Sequence, residues 1–283
     1  AAELTGCSLG SGEEPEAEAV FREAWQARLR SFGPDHPDTI MGAANLGVAL
    51  SDLNRRDEAI PLYRAAYDGN LRLFGAEDPR TLNSMSNLGS ILDMLGKFDE
   101  AEPFVRTAYE GRLRTLGKDH ADTLMSQHNY AYFLQHRGEL DRAAALGEET
   151  LATRRAAIGS KNPRSLTSVH LLGTIRRDQG RLSEAEALLK EALDGRAGHP
   201  LAAESRYWYA HTLLDQSKFE DAEREALQLE TDLRAQPTSH AEKVQRSIEL
   251  LVKVYERWGA AQPGKGLEAK AAPWKARLTS APN

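Results

Sequence analysis

The sequence has very little cysteine and no long apolar stretch. One of its 283 residues is cysteine, so no disulfide can form within the protein and a reducing, cytoplasmic environment is expected. No apolar run approaches the length that a membrane-spanning helix needs. Aromatic residues make up 7%, whereas alanine, leucine, glutamate and arginine are prominent. This composition favours helices.

Positive charge and the short motifs of catalysis are also scarce. The formal net charge is −6, which argues against a general nucleic-acid-binding protein. Charge is uneven, with an acidic head over residues 1–20 and a basic tail over residues 235–283. The sequence has no P-loop, no Gly-x-Ser-x-Gly, no His-Glu-x-x-His and no kinase signature. We therefore expect no enzymatic activity and no cofactor.

The single cysteine allows two interpretations. Leu-Thr-Gly-Cys, ending at Cys7, resembles a bacterial lipoprotein cleavage box, but no apolar segment precedes it in this sequence. The alternative, which we favour, is that residues 1–12 are the remnant of a helix in which Cys7 is a small packed residue.

A possible metal site appears first in the stretch FGPDHPDT at residues 32–39. Asp35, His36 and Asp38 are of the types that bind zinc or a di-metal centre. A catalytic cluster should be unique, whereas a structural one should recur. The stretch does recur every 42 residues, as FGAEDPRT, LGKDHADT and IGSKNPRS.

What recurs is turn chemistry rather than ligands. The slot of Asp38 holds Arg80 and Arg164 in two other copies, and arginine does not bind metals. The recurring features are a glycine, expected to end one helix in a left-handed conformation, and a residue suited to cap the next helix. The glycines are Gly33, Gly75, Gly117 and Gly159, the expected caps are His36, Asp78 and Asn162, and each cap precedes Pro37, Pro79 or Pro163. No metal is expected.

Between these turns the pattern is helical and repeats. A first helix carries large–small–large residues such as Leu46, Gly47 and Leu50, and a second carries Ala59, Tyr63 and Ala66. Small residues let helices approach closely, and large residues fill the gaps between them. A period of this length indicates a solenoid.

This pattern resembles the tetratricopeptide repeat (TPR), a pair of antiparallel helices. The 42-residue period, the GPDHPDT turn and the recurring Asn-Leu-Gly resemble the kinesin-light-chain type, which is found in bacterial multidomain regulatory proteins. The resemblance implies an all-α fold, a right-handed superhelical solenoid of antiparallel helix pairs over residues 1–283. Its parts are a partial repeat at 1–36, five repeats at 37–78, 79–120, 121–162, 163–199 and 200–237, and a capping helix pair at 238–283.

The repeat pattern predicts thirteen helices. They are expected near 14–31, 38–53, 56–73, 80–95, 98–115, 122–137, 140–157, 164–179, 182–194, 201–216, 219–234, 239–258 and 267–278.

In the family that the sequence resembles, the first helix of each pair lines a concave groove. Helical spacing from the recurring small residue assigns a set of side chains to that groove. Three asparagines form a ladder, and the histidines, aromatic residues and one arginine lie further along. The predicted binding residues are Asn45, Asn87, Asn129, His128, Tyr132, His136, His170, Arg177, Tyr207, Trp208 and His211.

Structural interpretations of these residues remain open. The asparagines would be purely structural if they satisfied backbone groups of a neighbouring helix, and Tyr207 and Trp208 would be core residues if they packed between helices. The slots in which related chaperone-tail binders carry Lys or Arg hold Met41, Asn83 and Met125. A carboxylate clamp is therefore not expected.

Two functions are compatible with such a scaffold. The first is a non-catalytic interaction module that binds an extended peptide or protein segment in the groove. The second is a regulatory domain that makes mainly intramolecular contacts with a fused Ser/Thr kinase, NTPase or protease domain upstream. Neither function involves nucleic acid or a membrane span.

Overall fold

Helices account for all regular secondary structure in residues 14–235 and 241–280, the part of the protein that the computed structural model describes. The thirteen helices of this part match the expected ones in number and order. They are α1 (Glu14–Phe32), α2 (Pro37–Asp52), α3 (Arg56–Phe74), α4 (Pro79–Met94), α5 (Phe98–Leu116), α6 (Ala121–His136), α7 (Leu140–Ile158), α8 (Pro163–Asp178), α9 (Leu182–Gly195), α10 (Ala202–Asp215), α11 (Phe219–Ala235), α12 (Ala241–Ala261) and α13 (Leu267–Ser280). The lipoprotein-like box at Cys7 lies outside the described residues.

The FGPDHPDT stretch is an inter-helix turn, as expected. His36 is the N-cap of α2, and its Nδ1 accepts a hydrogen bond from the backbone N–H of Asp38 at 3.2 Å. One ring nitrogen of His36 therefore caps a helix. Asp78 and Asn162 cap α4 and α8 in the same way. His120 does so for α6, although no proline follows it.

The prediction of a left-handed conformation at the turn glycines is correct for φ but not for ψ. Gly75 and Gly117 have φ of 84°, which is the positive value expected. Their ψ values, 172° and 166°, are however extended rather than left-handed helical. This combination is accessible almost only to glycine. Because the next helix begins four residues after each glycine, an extended residue turns the backbone away from the first helix rather than prolonging it.

The protein divides into two compact units, Ala1–Leu146 and Gly147–Asn283. In unit 1, each helix from α1 to α6 packs against the next one in sequence. Leu46, Tyr63 and Leu88 are almost fully buried. A Cβ on Gly47 would lie 2.9 Å from a ring carbon of Tyr63, so the small residue of the repeat is what lets α2 and α3 approach this closely.

Unit 2 repeats the sequential packing from α8 to α13. Its largest apolar cluster joins residues of α9 to α13, including Leu213, Leu251 and Trp258. The ring of Trp258 stacks on Phe219 with centroids 5.9 Å apart. The expected capping pair, α12 and α13, therefore covers apolar surface of α10 and α11, and removing it would expose that surface.

Candidate functional surface

In each unit, some even-numbered helices contact the next even-numbered helix directly. Besides sequential neighbours, contacts join α4 to α6 in unit 1, and α8 to α10 and α10 to α12 in unit 2. Helices on the inside of a curved stack lie closer to their next-but-one neighbours than helices on the outside. We call the side of each unit on which these helices meet its inner surface. The residues predicted to bind a ligand all belong to even-numbered helices.

The asparagine ladder lies in unit 1 and its amides are unused. Asn45 is exposed on α2, and Asn87 on α4 and Asn129 on α6 are half-buried. Within residues 14–235 and 241–280, none of the three side chains makes a hydrogen bond. Asn70 on α3 behaves differently, because its amide donates to Ser84 Oγ at 2.8 Å. The interpretation in which the ladder satisfies a neighbouring helix therefore has no hydrogen bond to support it.

His136 is held by a buried carboxylate. Its Nδ1 lies 3.0 Å from Oδ2 of Asp93, a residue of α4 that is 5% exposed. The other oxygen of Asp93 is buried without a hydrogen-bond partner in the described residues. The ring of Tyr132 lies 4.1 Å from that of His136. Because Nδ1 faces the carboxylate, Nε2 is the ring nitrogen left to meet a ligand.

Arg177 and His211 belong to a charged network in unit 2. Arg177 on α8 donates to Asp215 on α10, with Nη2 2.8 Å from Oδ2. The same Nη2 lies 3.0 Å from Nδ1 of His211, a residue that is 9% exposed. From α12, Arg257 Nη1 donates to the other Asp215 oxygen at 2.8 Å, and Lys253 Nζ lies 3.4 Å from His211 Nε2. Three helices thus supply one cluster.

Electrostatics in this network follow from burial and from the surplus of cations. Burial, followed by the charges of Arg177 and Lys253, lowers the pKa of His211 to about 4, and the opposing effect of Asp215 is smaller. Although burial alone raises the pKa of Asp215, the hydrogen bond from Arg257 and the charge of Arg177 hold it below its ordinary value. At neutral pH the imidazole is therefore uncharged and the carboxylate ionised.

Tyr207 and Trp208 pack against the core and are also partly exposed on the surface. Both are half-buried and pack against the apolar cluster of unit 2. Trp208 Nε1 donates to Glu204 at 2.9 Å, and the Arg246 guanidinium lies 4.4 Å above the Tyr207 ring. The two rings also contact His211, at 5.9 and 6.0 Å between centroids. They therefore form an apolar border to the charged network.

The remaining predicted residues are dispersed. His170 on α8 is half-buried, with Nδ1 3.3 Å from Ser205 Oγ. Burial and the nearby Arg196 lower its pKa. His128 on α6 is half-buried as well. The structure thus pairs Tyr132 with His136 in unit 1, and groups Arg177, Tyr207, Trp208 and His211 in unit 2.

A series of buried arginines escaped the sequence analysis. Arg112, Arg154 and Arg196 are spaced by 42 residues and are 2%, 3% and 6% exposed. Each donates to a serine hydroxyl of the next even-numbered helix, Arg112 from α5, Arg154 from α7 and Arg196 from the C-cap of α9. Arg112 also donates to Asn83 and Ser86 on α4. The 42-residue spacing was a sufficient signal, but a charged residue is not expected in a core.

Family comparison decides what kind of protein this is. A family model described as "Tetratricopeptide repeat" matches residues 7–70, 57–114 and 122–197, and a second model of the same description matches 170–240. Together the matches span most of the sequence. The chain belongs to the tetratricopeptide repeat family. Proteins of this family are generally non-catalytic interaction scaffolds.

Solved structures of other TPR proteins share the fold. One, a Podosopora anserina putative kinesin light chain with nearly identical TPR-like repeats, is 23% identical, with a TM-score of 0.59, covering 72% of this chain and 100% of that one. BtubC (BKLC) from P. vanneervenii is 16% identical, with a TM-score of 0.52 and coverage of 96% and 93%. NprR in complex with its cognate peptide NprX is 14% identical, with a TM-score of 0.64 and coverage of 98% and 83%. At these identities the likeness concerns the TPR fold. The comparison with curated proteins found no match.

Neither a metal cluster nor a membrane span is found among the described TPR helices. Within residues 14–235 and 241–280, no group of three or more His, Cys, Asp or Glu side chains could hold a metal ion. Over the same residues no helix is long and apolar enough to cross a membrane.

Proposed function

We propose that this TPR protein binds an extended peptide or protein segment on the inner surface of unit 1, through the backbone of the segment. Asn45, Asn87 and Asn129 carry this proposal. They occupy the same position in three successive even-numbered helices, and their amides make no hydrogen bond within residues 14–235 and 241–280. The five repeats and the capping pair defined above are proposed as the scaffold that presents them.

Amide chemistry suits this role. Each asparagine offers both a donor and an acceptor, so it can pair with a backbone C=O and N–H whatever the sequence of the segment. A helical scaffold holds these groups in place before binding, so little conformational entropy is lost by the protein. The NprR–NprX complex, a peptide complex of the same fold, supports the proposal by analogy.

The His136–Asp93 pair adds a further contact on the same surface. Asp93 orients the imidazole, and Nε2 can accept from a donor of the bound segment. Tyr132 beside it offers a flat apolar face. Selectivity for side chains of the segment is therefore proposed to arise near α6, whereas the asparagines contact its backbone.

The experiment begins by selecting peptides that bind the 283-residue protein from a random library displayed on phage. Their affinities are then measured for the Asn87→Ala/Asn129→Ala double variant. We expect a tenfold or greater loss, because each lost hydrogen bond contributes on the order of 1 kcal/mol. Circular dichroism should show unchanged helicity.

Gln228→Ala provides the matched control, since Gln228 is an exposed amide on the odd-numbered helix α11. It should leave affinity unchanged. If the double variant binds the peptides as tightly as the parent, or if the control weakens binding equally, the asparagines do not bind the segment and the proposal fails.

A further inference from the structure

The inner surface of unit 2 carries more positive charge than its carboxylates neutralise. Asp215 lies between two guanidinium groups, and each of its oxygens already accepts a hydrogen bond, one from Arg177 and one from Arg257. Lys253 is exposed, and no carboxylate of residues 14–235 or 241–280 lies within 4.0 Å of its ammonium. Its polar neighbour is Nε2 of His211. Asp178 Oδ1 lies 3.3 Å from Nη1 of Arg177, so two carboxylates, those of Asp178 and Asp215, face the three cations Arg177, Arg257 and Lys253.

His211 has donors on both sides. Guanidinium groups only donate, so the 3.0 Å contact with Arg177 makes Nδ1 of His211 the acceptor. The proton of the neutral ring is then on Nε2, which lies 3.4 Å from the ammonium of Lys253, also a donor only. Two donors therefore face each other without an acceptor. An oxygen that approached from the inner surface would accept from both.

The fold does not require this arrangement. Residues that the scaffold needs recur every 42 positions, as the turn glycines do. The equivalents of His211 in earlier repeats are Val48, Ser90, Tyr132 and Thr174. The equivalents of Lys253 and Arg257, 42 residues earlier, are His211 and Asp215 themselves. Cations at these two positions are thus peculiar to α12.

We infer that Lys253, Arg257 and the Nε2–H of His211 form a binding site for an oxyanion, a carboxylate or phosphate group, on the inner surface of unit 2. Arg177 holds the imidazole in the tautomer that presents Nε2–H, and Asp215 holds Arg177 and Arg257 in place. Charge-assisted hydrogen bonds from an ammonium and a guanidinium are about twice as strong as neutral ones. Burial of the ring strengthens the field further.

The rings of Tyr207 and Trp208 border the site and limit the access of water from one side. The anion binds where Lys253 is exposed and His211 is not, so it lies at the boundary between solvent and packed side chains. This inference does not depend on the asparagines of unit 1, which belong to different helices.

The test is a titration of the 283-residue protein followed by NMR of its histidine rings. The probes are sodium phosphate and sodium glutarate, with ionic strength held constant by sodium chloride. The His211→Gln variant identifies the His211 signals. We expect these signals to shift saturably with phosphate, with glutarate or with both, and the pKa of His211 to rise when the anion is bound. Which probe saturates tells a phosphate site from a carboxylate site.

Lys253→Gln should weaken anion binding tenfold or more. Lys243→Gln removes the same charge from an exposed residue of the same helix, and should have no effect. Arg257→Gln is a second variant, expected to weaken binding as well, in case Lys253→Gln lowers helicity. Absence of a saturable shift with either anion overturns the inference, as do equal losses in Lys253→Gln and Lys243→Gln.

The two proposals fail independently. Intact phosphate or glutarate binding in the Asn87→Ala/Asn129→Ala variant, together with unchanged peptide affinity, would remove the peptide proposal and leave the anion site. Loss of peptide binding in that variant, without any saturable anion shift in the parent, would do the reverse.

Discussion

At the scale of single residues, the turn glycines are held by backbone conformation rather than by crowding. Gly75 has φ of 84° and ψ of 172°, and a Cβ placed on it would meet no atom within 4 Å. The contacts of Gly75 therefore do not show why a glycine is needed at this position. His36 and Asp38 in the equivalent turn act locally, since one caps the helix and the other is exposed in its first turn.

Gly75→Val should destabilise the protein by roughly 1–3 kcal/mol, because a β-branched residue resists this conformation. Asp38→Arg should change the free energy of unfolding by less than about 1 kcal/mol, since it alters an exposed first-turn charge. Urea denaturation followed by circular dichroism measures both. Equal effects of the two substitutions would contradict the conformational explanation.

Some individual side chains could be predicted from the sequence, and others could not. The asparagines and the caps were found because each recurs with the turn. Arg112, Arg154 and Arg196 recur as regularly but were overlooked, because buried arginine is rare. Lys253 and Arg257 do not recur at all. Their role depends on which side chains of α8 and α10 converge on them, and side-chain rotamers across three helices cannot be obtained from spacing alone.

At the scale of helices, two glycines inside helices differ in the space available for a larger side chain. Gly89 in α4 faces α5, and a Cβ there would lie 2.6 Å from a methyl group of Val105 and 3.1 Å from its backbone nitrogen. Gly147 in α7 has room, because the nearest atoms to an added Cβ, on Leu172 and Ile175, are 3.6 and 3.7 Å away. Both positions are helical, so helix propensity alone favours alanine at each.

Gly147→Ala should therefore stabilise the protein by about 0.5–1 kcal/mol. Gly89→Ala should destabilise it, because overpacking that cannot be relieved by a flexible side chain typically costs about 1–3 kcal/mol. Thermal and urea unfolding of the two variants measure the difference. A gain in stability from Gly89→Ala would show that α4 and α5 separate easily, contrary to the close approach described above.

Helix boundaries were predicted almost completely. The even-numbered helices α2, α4, α6 and α8 begin one residue before the expected start, at Pro37, Pro79, Ala121 and Pro163. Proline has a helix-like φ and lacks only an N–H that the first turn leaves unpaired. In α2, α4 and α8 the proline is therefore the first helical residue, whereas α6 begins at the same position with Ala121. The glycine ψ was missed, because a positive φ is what composition indicates and ψ depends on where the next helix packs.

For the whole molecule, the buried histidines make stability depend on pH. The pKa of His211 in the folded protein is about 4, below the ordinary value of about 6.5. As pH falls below about 6.5, the unfolded protein binds a proton that the folded protein does not, so the free energy of unfolding decreases. The decrease ends near pH 4, where the folded protein is protonated too.

His211 should contribute about 2 kcal/mol to this decrease, allowing for its remaining exposure to solvent. The contribution of His211 is measured by urea unfolding of the parent and of His211→Gln at about pH 7 and about pH 4.5. Most of the titration lies between these two pH values. The variant should lose less stability between the two pH values than the parent. Some decrease should persist, since the pKa of His170 is also lowered. An identical decrease in both proteins would show that folding does not lower the pKa of His211.

The constant distance of 42 residues between the first four turns has a consequence for the gene as well as for the protein. Loss of the codons for residues 79–120 would join Asp78 to Ala121, so the carboxylate that caps α4 would precede α6 instead. Asn70, which bonds Ser84, would face Ser126 from the same register, 42 residues later. Recombination between neighbouring copies can therefore shorten or lengthen the array by one repeat. In each product, the helices on either side of the new junction keep the capping residue and the contact positions that the repeat requires.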